Sequence, residues 1–316
     1  MFTIIPADDF IWNKDELIDY LVQHQNKKIQ LYLNAEGCDC KFIGLYRLLD
    51  SFKFESVDII TANTVEHHNK YNIVYKSTLM YAEARDNIDA QYHIWNKNKI
   101  FCAYYGRPIW HRIGLASYLK SNYGEESLVN LRGDYNNEDS RKVFEVTEFF
   151  RWAPEQIKDF ASIANQLPIL VEKTDGYTPG NGIRTDKFAN QLAGFYIDIF
   201  VDIVAETFIS GNSFYPTEKT FRPILLKKPF VIMSARNHLG YLKQMGFKTF
   251  DDFWSEDYDW SDRRARYQKI IEVIDFIASK SKDELYDMYQ RMQPILDHNY
   301  NLLLSKSYNR TIKLIT

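Results

Sequence analysis

Cysteine is scarce in this chain, with only Cys38, Cys40 and Cys102 among 316 residues. Three thiols cannot all pair. The Cys38-x-Cys40 spacing is too tight for a normal bridge and lacks the second ligand pair of a zinc site. Free thiols in a reducing compartment are the expectation. Long apolar runs are missing as well: no stretch approaches the roughly 18–20 apolar residues of a membrane span. The opening "MFTIIPADDFIWNKDELIDYL" has no basic segment ahead of an apolar core, as a secretory signal would. These absences predict a cytoplasmic protein with no membrane span. Neither charge sign dominates, the formal net charge being −3. The chain as a whole is therefore not drawn to nucleic acid or anionic lipid, and any basic site must be local. There is no P-loop and no GxGxxG fingerprint.

What is present suits a globular protein with a sizeable core: 316 residues, 45% apolar and 26% charged. The first third alternates strand-like and helical patterns. "KKIQLYLN" (27–34), "SVDIITAN" (56–63) and "NIVYKS" (72–77) read as strands, and "AEGCDCKFIGLYRLLDSF" reads as a loop entering an amphipathic helix. The pattern restarts after the Lys/Asn cluster at 96–99. Strand "IFCAYY" and helix "WHRIGLASYLKSN" come first, then strands "ESLVNLRG" (126–133) and "LPILVEK" (167–173). A polar loop at 174–186, a helix over 187–196, strand "DIFVDIVAET" and strand "PFVIMSA" with helix "NHLGYLKQMG" follow. Two terminal helices close the chain, the first with an Ile270, Ile274, Ile277 stripe and the second opened by "SKDE" in the form of a capping box. The fold class is α/β, with two Rossmann-like domains facing a cleft and C-terminal helices. The expected division is 1–96 as an acceptor-side domain, 97–290 as a nucleotide-binding domain, and 291–316 as a C-terminal helix packing back on the first.

In such sheets ligands bind beyond the carboxyl ends of the strands, and two loops there carry charge. In "YYGRPIWHR", Gly106 allows a turn, Pro108 stops the strand, and Arg107, His111 and Arg112 stand at a helix entrance, a cradle for an anion. Ordinary surface pairing or packing is the alternative for each. In "FYPTEKTFRPILLKKPF", Thr217 as N-cap and Glu218 in the first turn suit the helix dipole unaided. Lys219 and Arg222 sit near the end where the dipole disfavours cations, which makes sense if an anion binds nearby.

The segment "YPTEKTFRPILLKKPFVI" resembles the TEK-helix segment of metal-independent GT-B glycosyltransferases, especially the α1,3-fucosyltransferase-like group and phage-encoded glycosyltransferases. "GRPIWHR" is similar to the arginine-bearing loop of the phage-encoded group. The likeness covers about 100–255. It implies a GT-B arrangement and a nucleotide-sugar donor as co-substrate, with no separate cofactor and no metal. Thr217 would open the donor site, Glu218 would hold the ribose and Lys219 the diphosphate, with Arg222, Arg107, His111 and Arg112 assisting. Asp198 and Asp202 in "YIDIFVD" do not form the Asp-x-Asp of metal-dependent transferases.

An inverting transfer needs a base near the acceptor hydroxyl. Glu36 and Asp39 in "YLNAEGCDC" are the candidates, with His67 and His68 as alternatives. One acceptor to consider is hydroxymethylcytosine in duplex DNA. The cations available for it are Lys27, Lys28, Lys227, Lys228, Arg263, Arg264 and Arg266, each otherwise a solvated surface group. The competing function is a non-catalytic nucleic-acid- or protein-binding module with a relic nucleotide site.

Overall fold

A computed structural model describes residues 3–6, 14–33, 37–75, 90–132, 139–171 and 194–305. They form a mixed α/β structure with two four-stranded sheets, every strand pair in them parallel.

The first sheet runs β1 (Thr3–Pro6), β2 (Lys28–Leu33), β3 (Ser56–Thr61) and β4 (Asn72–Tyr75) in sequential order. Alternation in "KIQLYL" places Ile29, Leu31 and Leu33 on one buried face. They meet Leu17 and Leu21 of α1 (Lys14–Gln23) and Leu45 and Leu49 of α2 (Leu45–Leu49). Each fully buried Leu or Ile contributes roughly 1.5–3 kcal/mol.

The second sheet has the order β6-β5-β7-β8, from β5 (Phe101–Tyr105), β6 (Ser127–Leu131), β7 (Val201–Ala205) and β8 (Phe230–Met233). β6, β7 and β8 are buried at every position, as parallel strands covered on both faces must be. α3 (Trp110–Asn122) packs on β5 and β6 beneath α4 (Asp139–Trp152) and α5 (Ile157–Ile163). α6 (Glu218–Leu225) packs on β7, α7 (His238–Gln244) follows β8, and α8 (Arg263–Ala278) packs on β8. α9 (Lys282–Ser305) lies against α6. The apolar core of this sheet is separate from that of the first.

The expected stripe on α8 is fully buried at Ile270, Ile274 and Ile277. The capping box is formed: Ser281 Oγ accepts from Glu284 N at 3.3 Å, and the Glu284 carboxylate accepts from Ser281 N at 2.8 Å. Three features differ from the sequence expectation. The strand predicted at 167–173 is reduced to one antiparallel bridge, Leu131 to Ile169, with 172–173 outside the described residues. Of the helix predicted at 187–196, only 194–196 are described, and they are helical. The boundary drawn at 291 falls inside α9, whose later turns hold the second half of the molecule: Asp297 pairs with Lys227 at 2.7 Å, and Asn299 exchanges hydrogen bonds with the Lys248 backbone.

Candidate functional site

β6 lies on one side of β5 and β7 on the other. The chain leaving β5 therefore diverges from the chain leaving β7, and their carboxyl ends form a topological switch point, the usual ligand position in such sheets. The two charged loops singled out from sequence both start there.

The first, 106–109, enters α3. His111 and Arg112 are almost fully buried, while Arg107 is exposed. His111 Nε2–H donates to the Glu206 carbonyl at 2.8 Å. Arg112 donates from Nε and Nη2 to the Ala205 carbonyl at 3.2 and 3.1 Å, from Nη2 to Thr207 Oγ1 at 3.4 Å and from Nη1 to the Arg107 carbonyl at 3.3 Å. These two side chains thus fasten α3 to the end of β7. Burial, then the Arg112 charge, pushes the His111 pKa well below its ordinary value, so the imidazole is neutral. With the proton on Nε2, His111 Nδ1 is a buried acceptor that has no partner among the described residues.

The second loop runs from Glu206 to Thr217. Glu206, 2% exposed, is its organising group. The carboxylate accepts from Thr217 N at 3.0 Å, Thr217 Oγ1 at 2.6 Å and Thr220 Oγ1 at 2.6 Å. Thr217 is the N-cap of α6, its Oγ1 accepting from Lys219 N at 3.1 Å. Lys219 Nζ lies 2.8 Å from Glu218 Oε1, 3.1 Å from Thr217 Oγ1 and 4.0 Å from Glu206 Oε2. Burial, the largest single influence, pushes the Glu218 carboxyl up, but the charge and hydrogen bond of Lys219, a backbone N–H and the Arg112 charge together hold the group below the usual carboxylate range. The network continues inward. Thr220 Oγ1 is 3.4 Å from His238 Nε2, and His238 Nδ1 is 2.9 Å from Ser234 Oγ. Burial lowers the His238 pKa to about 4.

Arg222 points elsewhere. Its guanidinium grips Asp202 of β7 through three N–H···O contacts of 3.0–3.2 Å, and Tyr196 OH adds a fourth at 2.5 Å. Contrary to the sequence expectation, Arg222 lies in the last turn of the eight-residue α6, where the dipole favours a cation, and its counter-anion is a buried side chain of the protein itself. Glu218 is the counter-anion of Lys219.

Glu206, Thr207, Phe208, Ser213, Tyr215, Thr217 and Ser234 line a small depression with a cavity volume of about 10 Å³. That is about the space of one water molecule, far below the 300–1,000 Å³ typical of sites for drug-sized ligands. Segments 34–36 and 133–138, which directly follow β2 and β6 in sequence, lie outside the described residues. A second recess, with a cavity volume of about 250 Å³ and lined by residues of the 254–257 turn and α8, contains none of the residues singled out from sequence.

The first sheet reaches this site through the loops at its own carboxyl edge. Asn63 Oδ1 accepts from Phe214 N at 2.9 Å, Asn63 Nδ2 donates to the Asn212 carbonyl at 3.0 Å, and Thr64 N donates to the Phe214 carbonyl at 3.4 Å. Ser213 Oγ donates to the Gly37 carbonyl. Gly37 (φ +59°) sits where a methyl group would collide with Tyr215 Cβ, so glycine is required both by conformation and by space.

Asp39, one of the two candidate bases, has both oxygens occupied: Oδ2 accepts from Asn212 N at 2.5 Å and Oδ1 from Phe42 N at 2.9 Å. These bonds join the loops of the two sheets. Glu36 lies outside the described residues. His68 stacks against Tyr46 and Tyr71, at 4.0 and 4.8 Å between ring centroids, and its Nδ1 accepts from Lys70 N; His67 is exposed.

Of the cations considered for a DNA acceptor, Lys228 and Arg266 are buried and donate to backbone carbonyls. Lys28, Lys227 and Arg264 pair with Glu55, Asp297 and Glu155. Arg263 lies over Trp152 at 4.6 Å and pairs with Glu148 at 3.5 Å. Lys27 is exposed. Among the described residues no group of three His, Cys, Asp or Glu is placed to hold a metal ion, and no helix is long and apolar enough to cross a membrane.

Sequence reasoning did not give Glu206 or Asn63 a role. Glu206 carried a signal, a carboxylate at the carboxyl end of a buried strand. Asn63 carried none, because its partners are about 150 residues away. No protein-family model, no curated protein and no solved structure matches the chain.

Proposed function

We propose that this chain is a glycosyltransferase of the GT-B kind. It moves a sugar from a nucleotide-sugar donor to an acceptor hydroxyl, with the two Rossmann-like units presenting donor and acceptor to one another. The observation that carries this reading is the set of groups at the β5/β7 switch point. A capped helix start bearing Glu218 and Lys219 stands there beside a hydroxyl-lined depression, with Arg112 buried under the same strand end.

Glu218, held ionised by Lys219, accepts hydrogen bonds from the ribose hydroxyls. Lys219 and the amino end of α6 face the diphosphate. Arg112, with four of its N–H···O contacts already made to the protein, acts as a fixed positive charge. During transfer the bond from the anomeric carbon to the phosphate oxygen breaks, and negative charge grows on the departing diphosphate. Cations and dipoles already in place lower that barrier without reorganising. The acceptor oxygen bonds to the anomeric carbon and gives up its proton to a base. Glu36 and Asp39 are the carboxylates to test for that role. The acceptor considered from sequence, a hydroxymethylated base in duplex DNA, loses the buried Lys228 and Arg266 from its contact surface. It predicts binding that weakens steeply with salt.

The experiment is a thermal-shift screen against UDP-, GDP-, CMP- and dTDP-sugars, followed by an assay of sugar transfer. At 100 times its Kd a ligand stabilises by about 2.7 kcal/mol. For 316 residues, at ~2.1 cal/mol/K of unfolding entropy each, that is roughly 4 °C. Glu218→Ala and Lys219→Ala should abolish the shift while each variant still melts cooperatively. If no nucleotide raises the melting temperature, or both variants bind as wild type does, the enzyme reading fails. Nucleotide binding without transfer to any acceptor would leave the relic-site alternative.

A further inference from the structure

We propose that the face flanking the start of α8 binds single-stranded nucleic acid through stacked guanidinium and aromatic groups. As an assignment of the acceptor this rests on the glycosyltransferase reading; as a binding surface it stands by itself.

A single exposed ring on a protein surface is ordinary. Here the two most exposed aromatic rings among the described residues, Trp260 and Phe42 at 57% each, both lie under a guanidinium. Arg236 Cζ is 5.6 Å from the Trp260 ring centroid, and Arg263 Cζ is 5.8 Å from that of Phe42. Arg263 also lies over Trp152 at 4.6 Å, and Arg151 covers the same indole at 5.0 Å. Arg151 and Arg236 are exposed.

The stacks belong to both halves. Arg236 comes just after β8, and Phe42 lies between β2 and α2, so they stand at the carboxyl edges of the two sheets. Arg263 donates to Ser210 Oγ, and Arg266 donates to the Ile209 and Ser234 carbonyls. The face therefore adjoins the Glu206–Thr217 loop at the switch point, where an acceptor has to arrive.

The chemistry selects the ligand. An exposed ring offers a flat π surface, and a guanidinium offers positive charge with a planar set of donors. A neutral glycan leaves the cations unanswered. An acidic polysaccharide has charge but no flat π face, and a duplex hides its base faces within its own stack. An unpaired polynucleotide strand presents both bases and phosphates. The local charge balance agrees. Glu148 lies 3.5 Å from each of Arg151 and Arg263, one carboxylate for two guanidiniums. Asp262 is opposed by the amino end of α8, which it caps through Ala265 N at 3.0 Å.

The test uses the full chain and a fluorescein-labelled oligothymidine strand of about 12 nucleotides, read by fluorescence anisotropy. The same strand annealed to its complement is the comparator. The single strand should bind more tightly than the duplex. With about three phosphate contacts at ~0.7 each, raising salt from about 50 to 200 mM should weaken binding roughly twentyfold. Trp260→Ala and Phe42→Ala should each weaken it by about 5- to 150-fold, the usual range for losing one stacked base. Arg236→Gln should lower the salt slope by about 0.7. Phe276→Ala, which removes an exposed ring elsewhere on α8, should change nothing. If a variant fails to fold, the wild-type comparison of single strand with duplex decides alone. Absence of binding at the lower salt, equal or tighter binding of the duplex, equal competition by hyaluronate, or unchanged affinity in both ring variants overturns the proposal and leaves the nucleotide-sugar reading standing. Strand binding without any nucleotide-induced thermal shift supports the surface and overturns the transferase reading alone.

Discussion

Replacing Arg222 with methionine separates a structural cation from a ligand-binding one. In the folded chain Arg222 is 7% exposed and Asp202 is fully buried, and the guanidinium also lies near the rings of Tyr104 and Tyr196, at 5.5 and 5.7 Å. Arg222→Met keeps much of the side-chain volume but leaves Asp202 with the Tyr196 hydroxyl alone. Removing one member of a buried pair costs about 3–5 kcal/mol, most of it from the charge left behind. With an unfolding entropy of ~2.1 cal/mol/K per residue, a 316-residue chain that melts as one unit loses roughly 5–8 °C. Differential scanning calorimetry at neutral pH measures this directly. The double variant Asp202→Leu with Arg222→Met removes both charges and should recover most of the loss, because well-packed apolar replacements of buried pairs are neutral or better. A melting temperature within about 1 °C of wild type for Arg222→Met, or a double variant no more stable than the single one, would refute the structural assignment and return Arg222 to the donor site.

Two further outcomes follow from burial and backbone geometry. Lys228 is fully buried against the Ile94 carbonyl, and burial lowers its pKa to about 7, against ~10.4 in an unfolded chain. Below pH 7 both states hold the proton and above it only the unfolded state does, so this group makes stability rise with pH from about 7 to 10.4, by up to about 1.4 kcal/mol per unit. Lys228→Met should flatten the rise in melts taken across that range; an unchanged slope would show that Lys228 stays protonated. Gly37→Ala should cost upwards of 1 kcal/mol, from positive φ and the collision with Tyr215. It should also weaken nucleotide-induced thermal shifts by displacing a wall of the depression, whereas stability equal to wild type would show that the junction gives way easily.

The parallel α/β layout was legible because each strand's pattern is local. Alternation in "KIQLYL" marks a half-covered strand, and the unbroken apolar character of "FVIM" marks a fully covered one. The capping box before α9 was legible for the same reason. The strand-end rule then found both charged loops. What sequence did not supply was the partners. Arg222, in the last turn of α6, and Asp202, out of place alone inside an apolar strand, answer one another across 20 residues. Asp39 reads locally as a loop carboxylate beside a cleft, yet one of its oxygens is taken by an amide 173 residues away. "LPILVEK" has the composition of a strand, but a single bridge to Leu131 is all that pairs it among the described residues. Basic runs also misled: "LLKKPF" looks like surface charge, whereas Lys227 pairs with Asp297 and Lys228 is enclosed.

The loop from Glu206 to Thr217 has two owners. Its ends are anchored by β7 and α6, while its middle is pinned to Asn63, Thr64 and Asp39 of the other sheet. Any tilt of one half against the other must therefore bend this loop and reshape the recess it borders. A molecule lodged in that recess would, in turn, brace the alignment of the halves. Cutting the chain between β4 and β5 and keeping only the carboxyl-terminal piece would leave Glu206, Thr217 and Lys219 intact and still dismantle the surface they share.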